Sequence, residues 1–163
     1  MVSAPSVKVN NEVAVGMGQA VFARAPARLT TILGSCVAVT LYSPRRRLGM
    51  LGHVVLPQSK GSMSNPAKFA DTAVPHMLST LKKQGVEPRE LTAKFVGGAC
   101  MFGNGKCAQI GESNVQAVVQ ALEAAGIRIA GRDVNGNNGR RICFDLATGC
   151  ITVTSVGHPS QTI

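Results

Sequence analysis

A cysteine and a histidine lie close together in the stretch LTTILGSCVAVTLYSPRRRLGMLGHVVLP, residues 29–57. Cys36 follows the small pair Gly34-Ser35, and His53 lies in an apolar run after a turn rich in proline and arginine. A free thiol has a pKa of about 8.5, so a neighbouring imidazole that accepts its proton makes it a much better nucleophile. These residue types indicate nucleophilic catalysis if the fold brings them together.

The segments around the turn predict how the two residues are brought together. VAVTLY and LGMLGHVVL are apolar and β-branched, and SPRRR between them is typical of a hairpin turn. A turn centred between Pro44 and Arg45 places Cys36 opposite His53, with Cβ atoms about 4.5–5.5 Å apart. A change of register by one residue would instead send the two side chains to opposite faces. The register therefore decides whether the pair can form.

The small residues before the cysteine suit a catalytic corner. Gly34 and Ser35 allow a tight turn that exposes the sulfur and leaves backbone N–H groups to hold an oxyanion. A base also needs an orienting group, and Thr30 and Thr31 both offer a hydroxyl upstream. Cysteine is among the most buried residue types, so an inert core thiol beside a core histidine stays open as the alternative.

Length and charge limit the class of protein. The chain has 163 residues, enough for one domain, and 17 Lys and Arg against 8 Asp and Glu give a formal net charge of +9. This excess favours an acidic partner, whether nucleic acid, an anionic membrane surface or an acidic protein. No apolar run approaches the roughly 18 residues of a membrane span, and no signal peptide is evident. We therefore expect a cytoplasmic protein without membrane insertion, whose cysteines remain thiols.

The remaining elements predict a single α+β domain. Helices are expected over DTAVPHMLSTLKKQG, with Pro75 in the first turn, and over ESNVQAVVQALEAAG. EVAVGMGQAVFA is expected to form one strand interrupted by glycines. Three strands, IRIAGRDV, RRICFDL and CITVTSV, follow the second helix, and the turns NGNNG and ATG between them favour hairpins. The domain is expected to span residues 12–157, after a flexible segment 1–11 and before a tail 158–163.

Other candidate sites in the sequence are weak. GACMFGNGKC lacks the glycine and lysine spacing of a phosphate loop and is better interpreted as a corner at the end of a strand. Cys100 and Cys107, like Cys143 and Cys150, are spaced more widely than the two to four residues of usual zinc ligand pairs. We expect no metal and no cofactor, and no motif of a nucleic-acid-binding domain is apparent.

Several motifs, in order, resemble one known family. The segments LGSCVAVTLY, GHVVLP, FADTAVPHML, KFVGGACMFG and IGESNVQAVVQALEAAGIRIAGRDVNGNNGRRICFDLATGCITV resemble CheD, the chemoreceptor glutamine deamidases of bacterial and archaeal chemotaxis. The resemblance extends from Glu12 to Val153. It implies a layered sandwich of mixed β-sheets with two main outer helices.

The resemblance also implies an activity and a set of residues. The activity is that of a thiol-dependent protein-glutamine glutaminase, with Cys36 as nucleophile and His53 as base. The family's threonine lies six residues before the cysteine, which implies Thr30 rather than Thr31. Ser113, in IGESN, stands where the family usually has arginine, a departure that bears on partner docking or local salt bridging and not on the chemistry.

The resemblance also implies partners, and two other functions stay open beside it. The substrates would be the cytoplasmic domains of chemoreceptors, and a CheC-type phosphatase is a further expected partner. A non-catalytic adaptor that binds CheC or receptors is the first alternative function. A basic nucleic-acid-binding domain, supported by net charge alone, is the second.

Overall fold

A computed structural model of the chain describes residues 11–103 and 105–163, apart from the side chains of Cys107 and Ala108. The segment predicted to be flexible therefore lies outside the described residues except for Asn11, as does the side chain of Cys107. Ten strands and two α-helices are described: β1 Glu12–Ala14, β2 Ala20–Arg24, β3 Arg28–Leu33, β4 Val37–Ser43, β5 Leu48–Val54, α1 Ala70–Lys83, β6 Thr92–Gly97, α2 Gly105–Ala124, β7 Arg128–Val134, β8 Arg140–Asp145, β9 Ile151–Thr154 and β10 Gln161–Thr162.

The strands form two five-stranded sheets. Sheet A has the order β1-β3-β8-β9-β10, and sheet B has the order β2-β5-β4-β6-β7. Leu29 and Phe144 of sheet A share one buried cluster with Leu51 and Val96 of sheet B, so the sheets pack face to face. The other face of sheet B packs against α1 and α2 in a second cluster. The predicted α+β layered fold is confirmed, with both helices on the same side of the two sheets.

Alternation along two strands decides which polar side chains enter the layer between the sheets. In β3, Leu29 and Leu33 are buried in that layer while Ile32 is 70% exposed. Successive strand residues point to opposite faces, so Thr31 shares the inner face with the two leucines. In β5, His53 shares a face with the buried Leu51 for the same reason.

The hairpin between β4 and β5 turns one residue later than predicted. Its loop is Pro44–Arg47, closed by a bond of 2.8 Å from Arg47 N–H to the Ser43 carbonyl, with Arg47 at φ 49°. Because the turn lies one residue later, the residue of β4 that faces a given residue of β5 changes by two positions. His53 therefore pairs with Ala38 and not with Cys36. The predicted pairing of Cys36 directly opposite His53 is wrong, but a shift of two preserves the face on which each side chain lies.

Two predicted strand arrangements are also wrong. EVAVGMGQAVFA is divided between the sheets: β1 runs parallel to β3, and β2 runs antiparallel to β5. NGNNG closes no hairpin, because β7 pairs with β6 in sheet B while β8 pairs with β3 and β9 in sheet A. Asn135 and Gly136 adopt φ values of 65° and 75° in this crossing. The hairpin of β8 and β9 around ATG is confirmed.

Both helices begin earlier than the sequence suggested. Helix α1 starts at Ala70, so Pro75 lies inside the helix and not in its first turn. Helix α2 starts at Gly105, well before Glu112.

The segment expected to be a tail contributes β10, which pairs with β9. No helix in the described part of the chain is long and apolar enough to cross a membrane.

Candidate active site

Cys36 and His53 belong to the same layer of the molecule. Cys36 lies in the bend 34–36 that precedes β4, two positions before the Ala38 that pairs with His53. Its side chain packs against the cluster between the sheets and is half-buried, whereas His53 is 3% exposed. In a regular ladder such diagonal neighbours have Cα atoms about 7–8 Å apart, and no hydrogen bond joins the Cys36 sulfur to His53 Nε2 in this structure. The bend therefore holds the thiol beside the strand that carries the imidazole.

A chain of hydrogen bonds fixes the tautomer of the imidazole. His53 Nδ1 lies 2.8 Å from Thr31 Oγ1, and the same Thr31 hydroxyl donates to the Val15 carbonyl at 2.7 Å. A threonine hydroxyl has a single proton, and a carbonyl can only accept. The Thr31 oxygen must therefore accept from Nδ1–H. In neutral His53 the unprotonated nitrogen is then Nε2, the atom that a general base needs.

Burial shifts the pKa values of both Cys36 and His53 toward their uncharged forms. His53 Nε2 is buried and has no hydrogen-bond partner among the described residues. Burial lowers the pKa of the His53 imidazole, an effect that the Val15 carbonyl partly opposes. Burial raises the pKa of the Cys36 thiol, with a smaller opposing effect from its own backbone N–H. The directions of these two shifts favour an uncharged thiol in the bend and an uncharged imidazole in β5.

The hydroxyl that contacts His53 belongs to Thr31 and not, as the resemblance implied, to Thr30. Thr30 lies on the opposite face of β3, where it pairs in the ladders with Ala14 and Cys143. The resemblance implied Thr30 by the family's spacing of six residues, whereas the alternation of β3 places Thr31 on the face that carries the contact with His53.

The bend at Gly34–Cys36 is held by its carbonyl groups. Gly34 C=O accepts from Ala99 N–H at 3.0 Å, and Cys36 C=O accepts from Gly98 N–H at 2.9 Å. Ser35 C=O accepts from the Asn114 side-chain amide at 3.0 Å. The N–H groups of these bend residues donate to no backbone carbonyl among the described residues, and that of Cys36 interacts with its own sulfur. The bend therefore has backbone donors without a carbonyl partner next to the thiol, as the oxyanion hypothesis for this corner requires.

Glycines allow the bend to approach its supports. Gly97 has φ 127°, and a Cβ at this position would lie 2.1 Å from the Cys36 carbonyl oxygen. Gly98 has φ 70°, and a Cβ on Gly111 would lie 2.4 Å from the Gly98 oxygen. Side chains at these positions would push β6 and α2 away from the bend. KFVGGACMFG thus forms the predicted corner at the end of a strand.

The surroundings of the site are partly apolar. His53 and Thr31 border an open cavity of 370 Å³, whose wall includes Met17, Ile32 and Arg141. Met17 is 71% exposed.

Ser113 lies apart from this cavity, exposed on α2. Within the part of the chain that the structure describes, no three His, Cys, Asp or Glu side chains gather as metal ligands.

Sequence reasoning missed two members of the site. Val15 contributes only its carbonyl, which no residue type reveals. Asn114 is fully buried in α2 and contacts the bend. A signal was present, because Asn114 lies one helical turn before Val118, on the apolar stripe that faces the core.

The sequence is similar to proteins of bacterial and archaeal chemotaxis. Residues 55–155 match the family model CheD, described as chemotactic sensory transduction. The chain is 41% identical to the probable chemoreceptor glutamine deamidase CheD of Desulforamulus reducens, over 96% of this chain and 98% of that protein. It is 39% identical to the chemoreceptor glutamine deamidase CheD of Thermotoga maritima, over 90% and 94%.

A likeness to a solved structure concerns the fold alone. The crystal structure of YlmD from Geobacillus stearothermophilus aligns with a TM-score of 0.50 and 12% sequence identity. The alignment covers 71% of this chain and 50% of that one.

Proposed function

The chain belongs to the CheD family, and from this premise we propose that it deamidates chemoreceptor glutamines to glutamate, with Cys36 as the nucleophile and His53 as the base. The observation that carries the chemistry is the chain from His53 through Thr31 to Val15, because it leaves Nε2 as the basic nitrogen. Cys36 lies in the adjacent bend on the same side of sheet B.

The first half of the reaction forms a thioester. His53 Nε2 accepts the Cys36 proton as the sulfur bonds to the side-chain carboxamide carbon of the substrate glutamine. The carbonyl electron pair moves to oxygen and returns when the C–N bond breaks. His53 gives its proton to the leaving nitrogen, which departs as ammonia.

The second half releases the product. Water attacks the thioester carbon and gives a proton to His53 Nε2. The C–S bond breaks, the sulfur recovers this proton, and the substrate side chain leaves as a carboxylic acid that loses its remaining proton to solvent to become glutamate. One water is consumed and one ammonia is released for each glutamine.

The bend stabilises both tetrahedral intermediates. Their oxyanion would accept from the N–H groups of Gly34, Ser35 and Cys36, whose carbonyls are already bonded to the protein. Donors that are fixed before the reaction need no reorganisation as charge develops. Thr31 acts as a positioning residue, because it contacts the imidazole and not the substrate.

The partners follow from the substrate. We place the enzyme in the cytoplasm, where the cytoplasmic domains of receptors are accessible, and a CheC-type phosphatase is a further candidate partner. The net charge of +9 suits an acidic receptor surface, to which each turnover adds one carboxylate.

The test is incubation of the purified protein with a receptor cytoplasmic fragment. Conversion of glutamine to glutamate is followed by peptide mass spectrometry, together with ammonia release. We expect the intact protein to convert specific glutamines and Cys36→Ala to convert none. Conversion by Cys36→Ala, or receptor binding without conversion by the intact protein, would refute the proposed chemistry, and the second result would favour the adaptor alternative.

A further inference from the structure

Asn114 connects the segments that carry the two reactive groups. Its side-chain amide donates to the carbonyl of Ser35, the neighbour of Cys36, and to the carbonyl of Val55, two residues beyond His53. Both distances are 3.0 Å. The amide has two protons, so both are used in fixing one segment relative to the other.

The oxygen of this amide, Asn114 Oδ1, is buried at a cost to the stability of the fold. Asn114 is fully buried, and its Oδ1 has no hydrogen-bond partner among the described residues. An unpaired buried acceptor destabilises a fold, and an apolar side chain at this position would avoid that cost. What asparagine adds here is the pair of directed bonds to the two carbonyls.

We propose that Asn114 is a positioning residue of the deamidase, which sets the distance between the Cys36 sulfur and His53 Nε2 by tying the nucleophile bend to the end of β5. The inference rests on the proposed function. It deepens that function by assigning a role to α2, which packs closely against Gly98 through Gly111, and Gly98 N–H in turn donates to the Cys36 carbonyl of the bend. Without Asn114 the bend would keep its backbone bonds at Gly34 and Cys36 but lose the one at Ser35.

The test compares two variants that each remove a buried hydrogen bond to a backbone carbonyl. Asn114→Leu replaces the amide by a near-isosteric apolar group. Tyr42→Phe removes the hydroxyl that donates to the Leu146 carbonyl at 3.0 Å, away from the bend, and serves as the matched control. For Asn114→Leu we expect kcat to fall roughly 10–100-fold with little change in KM, since small misplacements of reacting groups have effects of this size. For Tyr42→Phe we expect kcat to be unchanged.

A second measurement separates positioning from a loss of folded protein. Iodoacetamide modification of Cys36, mapped by mass spectrometry, needs no deamidase activity. A released bend admits water to the thiol, so its raised pKa should fall and its alkylation should become about two- to tenfold faster, one pKa unit being about tenfold in thiolate. Slower deamidation together with faster alkylation supports positioning.

Other results overturn the inference. It is refuted if Asn114→Leu matches Tyr42→Phe in kcat and alkylation, or if activity falls only in proportion to the unfolded fraction measured by circular dichroism. If Asn114→Leu does not fold, Asn114→Ser is tested in its place, because serine retains one donor. We expect this variant to give an intermediate kcat and a smaller rise in the alkylation rate. An unchanged kcat and alkylation rate in Asn114→Ser would also refute the positioning role. Should Cys36 prove not to be the nucleophile, the alkylation arm still decides whether Asn114 holds the bend.

Discussion

His53 Nδ1 and Thr31 Oγ1 lie 2.8 Å apart, in a bond whose direction is set by the further bond from Thr31 to Val15. The partner of the imidazole is a neutral hydroxyl, so no carboxylate stabilises a positively charged His53 through Nδ1. The ring is held in one orientation and one tautomer while its charged form stays disfavoured by burial. This combination suits a base that receives its proton only during attack on the substrate.

The nucleophile can be tested against another thiol of the same chain. We expect Cys36→Ala to abolish ammonia release without loss of folded protein. Cys143→Ala is the matched control, because Cys143 is also half-buried but lies in β8, on the face of sheet A that Thr30 shares. It should retain full activity. Full activity of Cys36→Ala in the ammonia assay would contradict the assignment.

Thr31 and Thr30 offer a comparison of neighbouring residues. Thr31→Val removes the acceptor for Nδ1–H and should lower kcat about tenfold, the effect of losing roughly one neutral hydrogen bond. Thr31→Ser keeps the hydroxyl and should retain most of the activity. Thr30→Val should have little effect, since Thr30 makes no hydrogen bond to His53. Steady-state kinetics on the receptor fragment provide the check, and greater sensitivity at Thr30 would refute the role of Thr31.

The pH dependence follows from the directions of the two pKa shifts. Protonation of His53 removes the base, and its lowered pKa places the loss of kcat/KM below about pH 6.5, the ordinary histidine value. The raised pKa of Cys36 predicts that iodoacetamide alkylation of the free enzyme is still increasing at pH 9. Profiles of kcat/KM and of alkylation rate test the two directions separately. Alkylation that levels off near neutral pH would instead indicate a preformed thiolate–imidazolium pair.

Charge should affect association more than chemistry. Salt screens the attraction of a chain with net charge +9 to an acidic receptor surface, with a Debye length of about 8 Å at physiological ionic strength. Raising salt should lower kcat/KM while kcat at saturation changes little.

A comparison of two arginines tests which part of the surface is responsible for the salt dependence of kcat/KM. Arg141 borders the cavity that His53 shares, whereas Arg89 is exposed before β6, at the end of sheet B where Thr92 pairs with Tyr42. Arg141→Gln should lower kcat/KM and weaken its salt dependence more than Arg89→Gln does. Equal effects of the two substitutions would show that total charge matters and its position does not.

The approach of β6 to the nucleophile predicts a stability difference between two glycines. In Gly97→Ala the new Cβ would clash with the Cys36 carbonyl, at 2.1 Å, in a backbone conformation with positive φ. Overpacking of this kind destabilises by about 1–3 kcal/mol. Gly105→Ala, at the start of α2, meets nothing within 4 Å and should leave stability unchanged or slightly raised. Urea unfolding monitored by circular dichroism measures both variants, and equal midpoints would contradict the clash.

Local patterns predicted the elements better than they predicted how those elements pair. The layered α+β class followed from recognisable helices and β-branched segments. The sheet to which β7 and β8 belong did not, because the glycines and asparagines of NGNNG allow positive φ in a crossing as readily as in a hairpin turn. Only the parallel pairing of β7 with β6 resolves that choice.

At the candidate site too, local patterns predicted the residues better than the contacts between them. Cys36 and His53 were predicted from their residue types, and they keep a shared face because the register of β4 and β5 moved by an even number of positions. The choice between Thr30 and Thr31 was available from the burial of Leu29 and Leu33, which marks the inner face of β3. Asn114 was accessible only as a polar residue on an apolar stripe, since its contacts with the bend depend on tertiary packing.

The N–H groups of the bend make it visible to hydrogen–deuterium exchange. Amides of Gly34, Ser35 and Cys36 lack carbonyl acceptors among the described residues, so they should exchange quickly, whereas Gly98 and Ala99, which donate to the bend, should be protected. An aldehyde analogue of the glutamine side chain would form a hemithioacetal with Cys36, whose oxygen should slow exchange at the bend alone. The same backbone would thus report whether the nucleophile is occupied, in a protein whose fold does not otherwise change.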